Sequence, residues 1–271
     1  MKITFLGTGG AQGVPSPYCD CLTCTHARRV KGKNIRKRSS YFVNDDLLVD
    51  MGPDFFMSAA LHDVNMFHMR YTLITHGHLD HFFVQNLGMR AQRMHKNTKL
   101  PRLTLVAPPS VMALLNQYSE TRLELERQPI TPYETVQLSP YQVKAIKASH
   151  YHSVGDAVNY IISNGKRKVM IASDTGVYEE DVWAHLEDAQ LDMLIIECTR
   201  GLNPKSSKAH LNIKDMQMMI KKMKDIHALT EDTVIYATHF SHQNCPSHEE
   251  LEQTLLEIGV HCAYDGLVVN I

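Results

Sequence analysis

Three imidazoles and a carboxylate fall within the six residues His76-Gly77-His78-Leu79-Asp80-His81, directly after the apolar run Tyr71-Thr72-Leu73-Ile74-Thr75. Ligand-type side chains packed this tightly seldom serve packing. Imidazole suits Zn²⁺, Fe²⁺ and Mn²⁺, and a carboxylate biases a site toward harder ions. His76 and His78, two residues apart in a tight loop, can converge on one ion. Asp80 and His81 can then reach a second ion a few ångströms away, the arrangement used in two-metal hydrolysis. The stretch therefore predicts a binuclear metal-dependent hydrolase.

Other candidate ligands stand at the ends of apolar runs. Asp174 ends Val169-Met170-Ile171-Ala172-Ser173, His239 ends Val234-Ile235-Tyr236-Ala237-Thr238, His150 and His152 follow Val143–Ser149, and Asp50 ends Leu47-Leu48-Val49. A single Asp at a strand end is usually a turn former. Several in one chain, added to the His cluster, suggest one sheet edge offering side chains to a shared cleft.

The elements that must position these groups read as interleaved strands and helices. Strands are expected at Ile3–Leu6, Leu47–Asp50, Thr72–Thr75, Leu103–Val106, Val143–Ala148, Asn159–Ile162, Val169–Ala172, Met193–Ile196 and Val234–Ala237. Several are continuous apolar runs, as in strands covered on both faces. A helix is expected from the N-cap Asn212 to about Ala228, with Ile213, Met216, Met219, Ile220, Met223 and Ile226 at helical spacing and lysines between them. These methionines read as core filler. Strand-rich halves with helices outside fit a four-layer αββα sandwich in a single domain over residues 1–271, although spacing alone does not exclude a doubly wound sheet.

The chain has 271 residues, 44% hydrophobic and 21% charged, enough for a full core. Its net charge of −1 argues against a general nucleic-acid binder. No apolar run is long enough to span a bilayer, and the N-terminal Met1–Gly10 reads as a strand and a Gly-rich turn rather than a signal peptide. The expected compartment is the cytoplasm, where the six Cys would stay reduced.

The order Thr-His-x-His-x-Asp-His, then a His, then Ser-Asp-Thr, then Thr-His resembles the metallo-β-lactamase superfamily over nearly the whole chain. The resemblance implies an αββα sandwich with two divalent metals, Zn²⁺ or Mn²⁺, on one edge. It implies that His76, His78 and His150 bind the first metal, with His152 as the alternative to His150. Asp80, His81 and His239 would bind the second, and Asp174 would bridge both. Asp50 would orient a ligand imidazole.

A second motif narrows the resemblance. Cys19-Asp20-Cys21-Leu22-Thr23-Cys24 offers three thiolates, one ligand short of a tetrahedral structural Zn²⁺. His242, in Thr238-His239-Phe240-Ser241-His242-Gln243, could supply the fourth, with Cys245 a weaker alternative. Cys198 and Cys262 read as core or surface thiols. With Gly7-Thr8-Gly9-Gly10-Ala11-Gln12-Gly13-Val14-Pro15, these segments look like the PhnP-type cyclic phosphodiesterases of phosphonate catabolism. A related Cys-rich branch serves pyrroloquinoline quinone biosynthesis, so the structural zinc does not fix the substrate. In the phosphodiesterase branch a His at the place of His210 faces the metals and assists the leaving group.

The resemblance thus implies hydrolysis of a small, cyclic phosphodiester, with Asp80 and His210 as catalytic residues. The alternatives are a thioester hydrolase or a non-catalytic, cofactor-biosynthesis member of the same fold. A zinc β-lactamase of the common kind would carry Cys where Asp174 stands, and a tRNA 3′-endonuclease would need an extended RNA-gripping arm. The basic run Arg28–Arg38 is expected to be a solvated loop, or else an electrostatic lure for phosphorylated substrates. Expected partners are a small phosphorylated substrate, with no membrane and no nucleic acid; a homodimer is left open.

Overall fold

The protein is described by a computed structural model covering residues 1–94, 99–151 and 155–271. The chain first lays down β1 (Lys2–Gly7), β2 (Ser40–Val43), β3 (Leu47–Val49), β4 (Tyr71–Leu73), β5 (Leu103–Ala107) and β6 (Leu125–Pro129). It then forms β7 (Thr135–Leu138), β8 (Tyr141–Lys147), β9 (Val158–Ser163), β10 (Lys168–Ala172), β11 (Leu191–Glu197), β12 (Leu229–Thr238) and β13 (His261–Cys262). Finally β14 (Val268–Asn270) returns to the first sheet. The two sheets have the orders β14-β1-β2-β3-β4-β5-β6 and β13-β12-β11-β10-β9-β8-β7. Both run antiparallel on one side and parallel on the other, the change coming at β3 in one sheet and at β10 in the other.

The layers follow from which faces are apolar. Ile3, Phe5, Val43 and Val49 of the first sheet meet Val143, Tyr160, Ile171 and Ile195 of the second in one buried cluster between the sheets. The outer face of the first sheet packs with α2 (Phe55–Leu61), α3 (Pro109–Leu114) and α4 (Glu120–Leu123) through Phe55, Val111 and Leu123. The second is covered by α5 (Glu180–Trp183), α6 (Ile213–Asp225) and α7 (His248–Leu256), which contribute Trp183, Met216, Met219, Met223 and Leu251. A further helix, α1 (Leu22–Val30), follows the Cys motif. The architecture is the αββα sandwich expected from the sequence. Among the described residues, no helix is long and apolar enough to cross a membrane.

The expected strands recur with small shifts of boundary. Strands the periodicity did not reveal are short or lie at sheet margins: β6 reads Leu-Glu-Arg-Gln-Pro and β7 Thr-Val-Gln-Leu, both edge strands with exposed polar residues. Charge and Pro on an edge blunt edge-to-edge pairing and erase the apolar signal. The expected helix is α6, and its N-cap Asn212 accepts from the Asp215 backbone N–H at 2.7 Å. That cap satisfies one of the first-turn donors that the helix itself cannot pair.

Candidate metal centre

The edge where the parallel strands end gathers the ligand-type side chains. His76 and His78 follow β4, His150 follows β8, Asp174 follows β10 and His239 follows β12. Tyr160 on β9 donates from its hydroxyl to the Ile74 carbonyl at 2.9 Å, tying the chain just ahead of His76 to the opposite sheet. Gly52 is forced by close approach: a Cβ there would sit 2.1 Å from the Asp80 carbonyl oxygen. Asp50 and His239 hold the left-handed backbone region with φ of 61° and 58°. Non-glycine residues seldom adopt it, and such strain concentrates at functional sites.

Two groups of donor atoms result. In the first, His76 Nε2 lies 2.9 Å from His78 Nδ1, which lies 3.2 Å from His150 Nε2. Asp174 Oδ2 completes it, 3.8 Å from His76 Nε2 and 3.6 Å from His150 Nε2. In the second, His81 Nε2 lies 3.2 Å from both Asp80 Oδ2 and His239 Nε2. Asp174 Oδ1 is 3.3 Å from His81 Nε2 and 2.8 Å from His239 Nε2. One carboxylate thus gives an oxygen to each group. Nitrogen ligands about 2.0–2.1 Å from a tetrahedral ion stand roughly 3.3–3.4 Å apart, close to these spacings.

Tautomers decide whether the donor set fits metals. His81 Nδ1–H donates to Asp50 Oδ2 at 2.7 Å, and His150 Nδ1–H to the Ala209 carbonyl at 3.1 Å. The Thr75 hydroxyl proton goes to Asp50, so Thr75 Oγ1 accepts from His76 Nδ1–H at 3.0 Å. His239 Nδ1 lies 2.8 Å from Thr199 Oγ1, an oxygen placed to accept the Nδ1–H of the ligand tautomer. Each of these rings therefore turns a bare Nε2 toward the others. Bare nitrogens facing one another repel unless a cation or a proton lies between them.

The ionisation tendencies agree. Burial and the neighbouring imidazole of His81 hold His76 well below its ordinary pKa, and burial lowers His150, so both favour the neutral ligand form. Burial also disfavours charge on His81 and His239, but the Asp174 carboxylate outweighs it, lifting His239 to about 10 and His81 well above its usual value. Asp174 is held well below the carboxylate range because the His239 and His81 charges overcome its burial. The second group wants a positive charge at its centre. The residues present fit a pair of divalent ions.

His210 stands beside this centre, its ring 5.0 Å from that of His150 and stacked 6.0 Å from that of His239. Its Nδ1 is 2.8 Å from Glu197 Oε1. Glu197 is buried and also accepts from the backbone N–H groups of Thr175, Thr199 and Leu211. Burial alone would lower the pKa of His210, but Glu197 reverses that and raises it. Sequence reasoning missed Glu197. The signal was there, since Glu197 ends the apolar strand β11 as Asp174 follows β10 and His239 follows β12.

The second cluster forms where expected. Cys19, Cys21, Cys24 and His242 bring their ligand atoms within 4.8 Å of one another. Cys21 Sγ lies 3.7 Å from His242 Nδ1, and the Ser16 and Cys24 backbone N–H groups point at Cys24 Sγ and Cys21 Sγ at 3.3 and 3.5 Å. Cys21 is also the N-cap of α1. Although burial opposes it, these contacts lower the Cys21 pKa to about 6, whereas burial pushes Cys24 up to about 12. Cys245, the alternative fourth ligand, instead turns its Sγ to the Cys198 and Thr199 carbonyls at 3.7 and 3.9 Å. A metal held by this cluster would contribute folding energy, so Cys21→Ser should then lose one metal per chain and unfold at lower temperature. A loss of about 2 kcal/mol would lower Tm by roughly 4–8 °C. Unchanged Tm and metal content, by calorimetry and mass spectrometry, would count against the site.

The basic run divides: residues 28–33 are exposed, as a solvated segment would be, whereas its C-terminal cations are held by partners. Arg36 is buried over the Phe240 ring and donates to Thr8 Oγ1 and the Ala263 carbonyl, while Arg38 pairs with Asp54 and Lys37 with Asp265. These cations are used in holding the Gly-rich turn to its neighbours. His152, the alternative to His150, lies outside the described residues.

A family model described as a beta-lactamase superfamily domain matches residues 46–240, the span from just before β3 to just past His239. The chain belongs to the β-lactamase superfamily. Among solved structures, a diphosphatase from the PhnP family is similar over 99% of this chain and 96% of its own, with 23% identity and a TM-score of 0.77. Zn²⁺-bound PqqB from Methylobacterium extorquens aligns over 100% of both chains at 19% identity, also with a TM-score of 0.77. The short form of human tRNase Z aligns over 100% of this chain and 99% of its own, at 18% identity and a TM-score of 0.67. At these identities the likeness establishes the metallo-β-lactamase fold. No curated protein sequence matches this superfamily member. The fold implies divalent-metal binding, and its His and Asp groups make the chain a metal-dependent hydrolase by type.

Proposed function

We propose that this protein is a binuclear phosphodiesterase acting on a small, cyclic phosphodiester, with a third, structural zinc on the Cys cluster. The observation that carries the reading is the split of Asp174 between two donor groups, with His210 held beside them by a buried carboxylate. When bound, paired divalent ions activate a water near neutral pH and neutralise phosphoryl charge. His76, His78, His150 and Asp174 Oδ2 would hold one ion, and Asp80, His81, His239 and Asp174 Oδ1 the other. Zn²⁺ and Mn²⁺ both suit such a mixed imidazole and carboxylate set.

The remaining work falls to the chain's own groups. Asp50 and Thr75 fix the ring orientation of His81 and His76, and such outer partners typically matter about 10–100-fold for metal affinity or activity. Glu197 holds the proton on His210 Nδ1 and favours the doubly protonated ring, leaving Nε2–H to protonate a departing alkoxide. A thioester hydrolase or a cofactor-binding member would have no need of that acid. Six free thiols suit a reducing cytoplasm.

The test is turnover measured beside metal content on one sample. Bis(p-nitrophenyl) phosphate and a 2′,3′-cyclic nucleotide should be hydrolysed, and an acyl thioester should not. A diphosphate belongs in the same panel, because one structural relative is a diphosphatase. Thioester turnover exceeding that of both diesters, at full metal loading, would overturn the reading.

A further inference from the structure

Away from the metal edge, a cavity of about 310 Å³ opens on the outer face of the first sheet. Its walls include Phe55, Phe56, Met66, Phe67 and Met69, with Arg90 among them. Phe56, Phe67 and Met89 are 42%, 37% and 43% exposed at its rim, so among the described residues this apolar surface is open rather than filled. Ligand pockets of about 300–1,000 Å³ are lined in this way, apolar walls with a few placed polar groups.

Arg90 is the placed group. It is only 9% exposed, and its Nη2 donates to the Pro101 carbonyl at 2.6 Å. Its Nε–H is buried without an acceptor, and among the described residues no carboxylate lies within ion-pair distance of the guanidinium, Glu124 acting on it only from farther away. A buried cation with no anion in contact is costly, and a neutral carbonyl does not supply that charge. An apolar cavity beside a guanidinium with no anion in contact matches a ligand that is apolar along its body and anionic at one end. The cavity also touches the catalytic loop: its wall residue Met51 donates its N–H to the His81 carbonyl at 2.8 Å, and Asn86 Nδ2 donates to the Gly52 carbonyl at 2.9 Å.

We propose that this cavity binds a small amphipathic carboxylate, its chain or ring among the Phe and Met side chains and its carboxylate on Arg90. Arginine pairs with carboxylates through charge-assisted hydrogen bonds, about twice as strong as neutral ones. The proposal is independent of the phosphodiesterase reading.

Titration calorimetry on the metal-loaded full chain tests it, with decanoate, indole-3-acetate and uncharged decan-1-ol as probes. At least one carboxylate should bind saturably and at least tenfold more tightly than the alcohol, and which one does so tells an alkyl from an aromatic acid. Arg90→Met should remove that preference while keeping the alcohol's affinity. Met66→Trp, which fills the cavity and spares Arg90, should abolish binding of all three with metal content and diester turnover unchanged, and it decides the matter if Arg90→Met does not fold. A carboxylate that instead lands on the metals would compete with the diester and survive Met66→Trp. That result, or equal affinities for acid and alcohol in the wild type, overturns the proposal.

Discussion

Asp174→Ala is expected to lower kcat for bis(p-nitrophenyl) phosphate by at least about 100-fold, or ~2.7 kcal/mol in barrier. The reason is the double use of one side chain. Asp174 Oδ2 lies 3.6–3.8 Å from His150 and His76, and Oδ1 lies 2.8–3.3 Å from His239 and His81. Removing it takes a ligand from both groups and leaves the buried imidazoles of His81 and His239 facing each other with Asp80 as the one carboxylate left in that group. Metal analysis should therefore show fewer ions at the His and Asp centre while the Cys cluster keeps its own. Asp174→Asn, which keeps the shape and removes the charge, should fall close to the Ala variant. Retention of more than about a tenth of wild-type kcat would mean a loss under ~1.4 kcal/mol, too little for a residue that would be shared by two metal sites.

Both sheets supply each donor group, and this explains what the sequence could show. His76, His78, Asp80 and His81 come from one loop after β4, so their relation is local and legible in a string of six letters. His150, Asp174 and His239 are far apart in sequence but share one local mark, a position just past an apolar strand, and that mark survives because inner strands are covered on both faces. Glu197 carried the same mark and was overlooked because a buried carboxylate is unexpected. Its three backbone donors come from residues 175, 199 and 211, a convergence no spacing encodes. Arg36 is hidden for the opposite reason: a run of cations looks solvated until the fold places one of them over Phe240. The Arg90 cavity has no sequence signature, since its walls come from residues 51–69, 86–90 and 100 and only packing unites them.

The last expected result separates acid from ligand at His210. If His210 protonates the leaving group, His210→Ala should keep its full metal content and lose about 10²–10⁴-fold in kcat on a diester with a basic alkoxide leaving group. The loss should shrink on bis(p-nitrophenyl) phosphate, because p-nitrophenolate departs without a proton. His210 belongs to neither of the two donor groups that share Asp174, and Glu197, 2.8 Å from its Nδ1, raises its pKa as a proton donor requires. Glu197→Gln is a poorer probe. The amide would bring donor hydrogens to a carboxylate already accepting three backbone N–H groups, and a buried unmade hydrogen bond costs about 1–3 kcal/mol of stability. A ligand at His210 would instead cost both substrates alike through lost metal, and a bystander would cost neither. Equal losses on the two substrates with metal intact would exclude the acid and leave His210 as a group that holds the phosphate.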